Sequence, residues 1–277
     1  MTSPWRDLDR PPLRAAALRR ALVGGDSFWT DLQVRDETGS TNADVADAAR
    51  AGAPEGLVIV AEQQSAGRGR AGRSWEAPLR SGLAFSVLLR PPPDSRADWG
   101  WLPLLAGLAV VAPVRELTGI NATLKWPNDV MVGDRKLAGL LAEVVGDAVV
   151  VGIGLNVSLR ADELPVPTAT SLAIARPEGA DDTEPIDREP VLRAVLRDLG
   201  TRYERFARAD TDSASLRADY RANCSTVGRD VAVSLPGGRI VRGRATDVDE
   251  SGRIVVHLDT GDSEYIALAA GDVEHLR

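Results

Sequence analysis

Four β-rich segments follow one another closely near the middle of the chain, and their spacing limits the possible folds more than any other feature. They cover residues 122–126, 129–132, 137–145 and 148–157. The connections between them are too short for the crossover that parallel neighbours need. The sequence therefore predicts a meander of antiparallel strands in this region.

The flanking segments predict a mixed sheet with helices around it. Strands are predicted at 32–37, 57–62 and 82–89, and helices at 13–23, 43–51, 99–118, 188–208 and 213–222. Pro113 predicts a kink in the largely apolar helix 99–118. The proline-rich stretch 159–185 predicts a loop, with a short helix after Thr170. Together these patterns indicate an α+β domain.

The pattern of apolar residues and turns changes after residue 224. Short alternating segments are separated there by Pro-Gly-Gly, Glu-Ser-Gly and Thr-Gly-Asp turns. About 50 residues with this pattern predict a small β-barrel of SH3-like size. We therefore predict an N-terminal extension with a short helix at 1–30, a larger α+β domain at 31–224 and the small barrel at 225–277.

Charge and cysteine content exclude several functional classes. The net charge of −7 and the pI near 5.0 argue against broad binding of DNA or of anionic membranes. The sequence contains no run of 18 or more apolar residues, so no membrane span is predicted. Cys224 is the sole cysteine, which excludes an intramolecular disulfide and a multi-cysteine zinc site. A cytoplasmic protein is the resulting expectation.

Lysine is nearly absent from the chain. Of the 33 basic residues only Lys125 and Lys136 are lysines, and the other 31 are arginines. A compact ammonium meets oxygen ligands differently from a planar guanidinium. Arginine occupies nearly every position where a positive charge is sufficient. The two lysines are therefore candidates for positions where an ammonium is required.

A glycine- and arginine-rich loop, residues 67–73, lies in an irregular stretch between two predicted strands. Its sequence GRGRAGR combines glycines, which allow close backbone approach, with arginines, which donate to phosphate or carboxylate oxygens. It lacks the lysine and the spacing of a Walker A loop, and no helix-forming stretch follows as in a dinucleotide fingerprint. A solvated flexible loop remains the alternative.

Two further motifs surround the lysines. In KWPND, Pro127 favours a tight turn between strands, which places Lys125 beside Asn128 and Asp129. A carboxylate there suits Mg²⁺ and a lysine suits phosphate, although a plain Asn-Asp turn is the alternative. KLAGLLAE begins with Lys136, and its glycine, like the two in GIGLN, indicates close approach by a ligand or simply tight sheet packing.

GRGRAGR, KWPND, KLAGLLAE and GIGLN occur in this order with Ser40-Thr41-Asn42 upstream, and the set resembles the biotin–protein ligases. The resemblance extends from about residue 32 to residue 277. It implies a mixed sheet of the class II synthetase-like type. It also implies activation of biotin by ATP and Mg²⁺ to biotinyl-AMP, followed by transfer to a lysine of a biotin carboxyl carrier domain of a carboxylase.

The resemblance also assigns residues by position. Those implied for biotin binding are Ser40, Thr41, Gln64, Gly67, Arg68, Lys136 and Gly139. Those implied for ATP or AMP binding are Arg70, Arg73, Trp75, Lys125, Asn128 and Asn156. Lys136, Arg68 and Arg70 are implied as catalytic, and Asp129 as a ligand of Mg²⁺. A role for Ser40 and Thr41 in capping the following helix is the alternative.

Several alternatives stay open at this point. A lipoate–protein ligase shares the scaffold and the adenylation step, but the polar trio Ser40, Thr41 and Gln64 suits a urea better than an apolar dithiolane. A catalytically inactive sensor and a purely structural module are the other two. Only about 31 residues precede the first predicted strand, fewer than the roughly 60 of the DNA-binding domain in some members. We therefore expect no DNA binding, and a monomer or weak homodimer.

Overall fold

The computed structural model describes residues 10–177, 179, 185–208, 213–259 and 264–276. Residues 1–9 of the predicted extension, and 178 and 180–184 of the predicted loop, lie outside this description. Seven strands form the larger sheet: β1 (Asp31–Arg35), β2 (Leu57–Ala61), β3 (Gly82–Leu89), β4 (Ala122–Lys125), β5 (Asp129–Val132), β6 (Arg135–Val145) and β7 (Ala148–Asn156).

The strand order of this sheet is β1-β2-β3-β7-β6-β5-β4. β1 and β2 are parallel, and every other neighbouring pair is antiparallel. The predicted meander is confirmed, since β4 to β7 are neighbours in chain order. The α+β class with a mixed sheet is confirmed as well.

Five helices are described: α1 (Ala15–Leu22), α2 (Thr41–Arg50), α3 (Trp101–Thr118), α4 (Arg188–Ala207) and α5 (Ser213–Asn223). Strand β2 shows how they cover both faces of the sheet. Its residues Leu57 and Ile59 pack in a cluster with α2, whereas Val58 and Val60 join the main core, to which α1, α3 and α4 contribute. Alternate residues point to opposite faces, so all five residues of β2 are buried.

Helix α3 is the most apolar helix. It continues through Pro113 as one helix and ends at Gly119, whose φ of 69° suits a left-handed cap. By length and composition it is the one helix in the described part of the chain that could span a membrane. Two thirds of that window, 67%, is buried inside the protein, as in a core helix.

The prediction of a helix after Thr170 is wrong. The amide of Ala175 donates to the carbonyl of Ser171 in a turn that does not continue. Pro177 has no amide hydrogen and disfavours helical geometry at Arg176 before it, so it ends the segment. Backbone hydrogen bonds between Lys136 and residues 168–170 instead attach this segment to the edge of β6.

The C-terminal segment forms a separate five-stranded antiparallel sheet. Its strands are β8 (Asp230–Ser234), β9 (Ile240–Val248), β10 (Ile254–Leu258), β11 (Tyr265–Leu268) and β12 (Asp272–His275), in the order β11-β10-β9-β8-β12. The turn between β9 and β10 contacts the larger sheet and α3. The indoles of Trp101 and Trp126 donate to the carbonyls of Glu250 and Gly252, at 2.7 and 3.0 Å.

A buried ion pair connects the N-terminal segment to the sheet. Arg188, at the start of α4, contacts Glu62 at 2.7 Å, and both side chains are almost completely buried. Glu62 also accepts from the amide of Leu13, while Arg188 donates to the carbonyls of Pro11 and Gly82. The pair therefore joins the end of β2, the start of β3 and residues 11–13.

Candidate active site

A cleft of about 730 Å³ opens on the α2 face of the larger sheet, beside the N-terminal end of α2. It contains nearly all of the residues singled out by the sequence. Its lining includes Ser40, Thr41, Gln64, Arg68, Arg70, Arg73, Trp75, Lys125, Asn128, Asp129, Lys136, Gly139 and Asn156. Gly67 does not line it. A side chain at Gly67 would overlap Trp75 and the amide of Gln64, so this glycine allows two wall segments to approach each other.

Strand register explains why distant residues meet in this cleft. Lys125 pairs with Asp129, Asp129 with Gly139, and Gly139 with Gly154 across four neighbouring strands. Paired residues point to the same face of a sheet. KWPND, KLAGLLAE and GIGLN therefore contribute one row of the cleft floor.

Glycines of β6 and β7 leave space above the sheet at the floor of the cleft. A side chain at Gly154 would overlap the indole of Trp75, and one at Gly152 would overlap the amide of Asn42. A side chain at Gly139 would press on Trp75 and the end of Lys136 at 3.0–3.1 Å. These glycines make room for side chains that lie over the sheet, so tight packing of the sheet itself is not their main role.

The trio Ser40, Thr41 and Gln64 lies at one end of the cleft. Ser40 occupies the N-cap position of α2, but its side chain makes no capping hydrogen bond, so the capping interpretation is wrong for Ser40. Gln64 Oε1 accepts from the amide of Thr41 at 2.8 Å. With its oxygen held in this way, the Gln64 amide nitrogen remains a donor for a ligand.

Lys136 lies at the centre of the cleft. Its Nζ is 2.6 Å from Asp129 Oδ1 and 5.8 Å from the centroid of the Trp75 ring. The backbone of Lys136 is fixed on the other side, where its amide donates to Thr168 and its carbonyl accepts from Thr170. The ammonium is therefore positioned by a carboxylate and an aromatic face, and both leave donors for an anion.

The glycine–arginine loop is folded back on itself. The amide of Gly69 donates to Arg73 at 2.7 Å, and the amide of Trp75 donates to Gly67 at 2.8 Å. At its tip, Ala71 and Gly72 have φ values of 53° and 74°. A positive φ at a non-glycine residue is uncommon, so the tip is held in a tight turn that costs free energy.

Each arginine of this loop contacts a different wall. Arg68 pairs with Glu143 at 3.1 Å, and Arg73 pairs with Asp272 of the C-terminal sheet at 3.0 Å. Arg70 donates to Asn128 Oδ1 at 2.9 Å, and its burial lowers the pKa of its guanidinium. The three arginines therefore connect the loop to β6, to the KWPND turn and to the C-terminal sheet.

The KWPND turn is supported from the C-terminal sheet. The Trp126–Pro127 peptide is cis, and the amide of Trp126 donates to Thr226 Oγ at 3.1 Å. Thr226 in turn lies 3.0 Å from His275 Nε2. Burial, with Lys125 and Arg229 nearby, lowers the pKa of His275 to about 4, so its ring is neutral at pH 7. The Arg229 guanidinium, which can only donate, lies 3.5 Å from His275 Nδ1, so the ring hydrogen belongs on Nε2, which faces Thr226.

Four residues near the cleft were missed by sequence reasoning. Asn42 follows the serine–threonine pair, and Glu143 ends the KLAGLLAE segment, so both stood beside motifs that were recognised. Ser86, on β3, and Asp272, on β12, had no local signal. Their positions depend on strand pairing and on contact between the two sheets.

A resident metal cage is not found. No group of three or more His, Cys, Asp or Glu side chains is placed to hold a metal within the described residues. Mg²⁺ in nucleotide sites commonly takes one or two carboxylates and completes its shell with phosphates and water. The Asp129 carboxylate therefore fits an ion that arrives with a nucleotide.

Comparison with known proteins assigns the chain to a protein family. Residues 37–158 match the Biotin/lipoate A/B protein ligase family, and residues 226–276 match the Biotin protein ligase C terminal domain. The chain is 44% identical to a biotin–[acetyl-CoA-carboxylase] ligase of Mycobacterium tuberculosis, over 98% of this chain and 99% of the relative.

The chain belongs to the biotin protein ligase family.

Other relatives of this ligase agree with the assignment. It is 32% identical to the bifunctional ligase/repressor BirA of Bacillus subtilis, over 83% of this chain and 70% of that protein. The biotin protein ligase of Aquifex aeolicus, solved in complex with biotin and ATP, superimposes with a TM-score of 0.74. That comparison has 28% identity and covers 90% of this ligase and all of that chain.

Proposed function

We propose that this ligase activates biotin with ATP to biotinyl-AMP and then transfers the biotinyl group to a lysine of a biotin carboxyl carrier domain of a carboxylase. The observation that carries the proposal is the convergence of Lys136, Lys125 and the loop arginines on one cleft. In the first step a biotin carboxylate oxygen attacks the α-phosphate, and pyrophosphate leaves. In the second, the acceptor amine attacks the acyl carbon, and AMP leaves.

The first step brings two anions together, so the cleft must supply positive charge. Lys136 is central enough to contact both the carboxylate and the α-phosphate. Arg68 and Arg70 approach from the loop above it. Mg²⁺ would be held by Asp129 with the phosphates, and it would neutralise part of their charge.

The two ends of the cleft suit the two substrates. Ser40, Thr41 and Gln64 offer the donors and acceptors that a cyclic urea needs, and a dithiolane ring would leave them unpaired. At the other end of the cleft, a larger set of side chains is available to bind ATP. We assign it Arg70, Arg73, Trp75, Lys125, Asn128 and Asn156.

The loop at 67–73 acts as a lid over the intermediate. A mixed anhydride is destroyed by water, so the cleft must exclude water until the acceptor lysine arrives. The ion pairs of Arg68 and Arg73 are partly exposed and therefore individually weak. A ligand phosphate competes with Glu143 and Asp272 for these guanidinium groups, which lets the loop close on the ligand.

The remaining parts of the proposal concern the whole protein. We assign catalysis to residues 31–224, with a sheet of the class II synthetase type, and a supporting SH3-like barrel to residues 225–277. We propose a cytoplasmic ligase that is a monomer or weak homodimer and has no DNA partner. Equilibrium sedimentation and a DNA mobility-shift assay test the last two statements.

Mass spectrometry of a carrier domain tests the reaction directly. The protein is incubated with biotin, MgATP and an isolated biotin carboxyl carrier domain. We expect a mass increase of one biotinyl group, which is absent when the acceptor lysine is replaced by arginine. Lipoate in place of biotin is expected to give no transfer. Modification by lipoate alone would contradict the proposal.

Loop closure predicts protection from trypsin. Biotin with ATP is expected to slow cleavage after the loop arginines at least about tenfold, because the closed population resists proteolysis. Arg70→Ala removes the contact to Asn128 and is expected to lose most of this protection, while Arg50→Ala on α2 is expected to keep it. Equal protection in both variants would argue against a role of Arg70 in closure, and an absence of protection in the wild type would argue against ligand-driven closure.

The space that glycines leave at the floor of the cleft predicts a steric effect. Gly154→Ala forces the Trp75 indole to move, and we expect the Kd for ATP, to which Trp75 is assigned, to rise about tenfold or more because overpacking displaces a wall of the pocket. Gly39→Ala is the matched control, since its methyl group meets nothing within 4 Å. Calorimetric titration measures both; an unchanged Kd in Gly154→Ala would contradict the assigned wall.

A further inference from the structure

A continuous series of hydrogen bonds connects Glu143 to the polar end of the cleft. Asn42 Nδ2 donates to Glu143 Oε2 at 2.7 Å, and Ser86 Oγ donates to Asn42 Oδ1 at 2.6 Å. Ser86 Oγ then lies 2.7 Å from Thr41 Oγ, which is 3.1 Å from Gln64 Oε1. Asn42, Ser86 and Thr41 are at most 4% exposed, so the series is largely buried beneath the cleft.

The direction of this series follows from counting hydrogens. A carboxylate only accepts, so the amide nitrogen of Asn42 must face Glu143 and its oxygen must face Ser86. Ser86 has one hydroxyl hydrogen, which the Asn42 oxygen takes. The short contact between Ser86 and Thr41 must therefore use the hydrogen of Thr41. Gln64 Oε1 keeps the backbone amide of Thr41 as its donor.

We propose that Glu143 is a specificity-determining positioning residue: through Asn42 and Ser86 it directs the Thr41 hydroxyl hydrogen away from the cleft. Thr41 then presents lone pairs to a ligand and no hydrogen. Such a site selects a ligand with an N–H donor at this point, which a cyclic urea has and a dithiolane lacks. This inference rests on the proposed function, because it concerns how biotin is recognised.

The same carboxylate oxygen also pairs with Arg68 at 3.1 Å. Glu143 therefore contacts both the loop and the series that orients Thr41. Gly152 is needed for this arrangement, since any side chain there would overlap the Asn42 amide. The carbonyl of Leu141 is a second, longer acceptor for Asn42, at 3.3 Å.

Binding of biotin and its two N-methyl isomers to variants tests the proposal. The probes are biotin and biotin methylated on one or the other ring nitrogen, and the readout is the ratio of their Kd values from calorimetry without ATP. In the wild type we expect one methylated isomer to bind at least about tenfold more weakly, because it leaves the Thr41 acceptor unpaired. In Glu143→Gln the amide permits the reverse direction, and we expect this ratio to fall at least about threefold.

Three further variants separate orientation from other effects. Ser86→Ala removes the acceptor for the Thr41 hydrogen and is expected to lower the ratio as well. Glu76→Gln changes the same charge at an exposed position of the cleft rim and is expected to leave it unchanged. Asp47→Asn on α2 removes an exposed charge outside the series, so its ratio is also expected to stay at the wild-type value.

The possible outcomes are distinct. A purely structural role for Glu143 weakens both ligands equally and leaves the ratio unchanged, which would overturn the proposal. A lowered ratio in Ser86→Ala with a wild-type ratio in Glu143→Gln would assign the orientation to Leu141 and would also overturn it. A wild-type protein that does not bind biotin would refute the proposed function itself, and the inference with it.

Discussion

Replacing Lys136 with alanine is expected to lower the rate of biotinyl-AMP formation at least tenfold, equivalent to about 1.4 kcal/mol of transition-state stabilisation. The Lys136 ammonium lies at the centre of the cleft, 2.6 Å from Asp129. Its removal takes away a cation where two anions must meet, and it leaves the Asp129 carboxylate unpaired against the incoming phosphates. Biotin-dependent exchange of pyrophosphate into ATP measures this step alone.

Two companion variants give the reason for the loss. Asp129→Asn in the Lys136→Ala background also removes the carboxylate assigned to Mg²⁺, and it is expected to lower the rate further. Lys136→Arg keeps the charge but changes its shape, and we expect only partial activity, since a planar guanidinium does not reproduce the reach of an ammonium. An exchange rate within about twofold of wild type in folded Lys136→Ala would remove Lys136 from the mechanism.

Breaking the buried ion pair is expected to have the largest effect on stability. Arg188→Ala should lower the free energy of unfolding by about 3–5 kcal/mol, because Glu62 would remain charged and buried without its partner. The carbonyls of Pro11 and Gly82 would lose a donor at the same time. Urea denaturation followed by circular dichroism measures the change.

An exposed pair provides the matched control. Arg50 and Asp47 on α2 are both mostly exposed, and Arg50→Ala is expected to change the free energy of unfolding by no more than about 1 kcal/mol. Replacing Arg188 and Glu62 together with methionine and leucine is expected to recover much of the lost stability, since no buried charge remains. A loss below about 1 kcal/mol in Arg188→Ala would show that the pair contributes little.

Local patterns predicted the elements well where one physical cause dominated. Strands 82–89 and 129–132 have the predicted bounds, because β-branched and apolar residues there are closed by turn residues. The error after Thr170 arose where the amides of Leu172 and Ala173 donate to the distant carbonyls of Asn156 and Val157. Propensity alone does not include such partners.

The sequence predicted individual residues of the candidate site but not the contacts between them. The rarity of lysine and the ordered motifs indicated Lys125, Lys136 and the loop arginines from residue type alone. The motifs did not indicate the ion pair between Lys136 and Asp129, or the space that glycines leave beneath the Trp75 indole. Those features depend on strand register, which brings Asp129 and Gly154 to either side of Gly139.

The sequence by itself determined the α+β class, the meander, the change of pattern near residue 225 and the chemical types of the site residues. These depend on short-range patterning and on composition, which a linear chain contains completely. Only the tertiary structure decided that Ser86 and Asn42 connect Glu143 to Thr41, and that Asp272 of the second sheet reaches Arg73. These contacts join residues between 44 and 199 positions apart, and long-range pairing of this kind is fixed by packing of the whole chain.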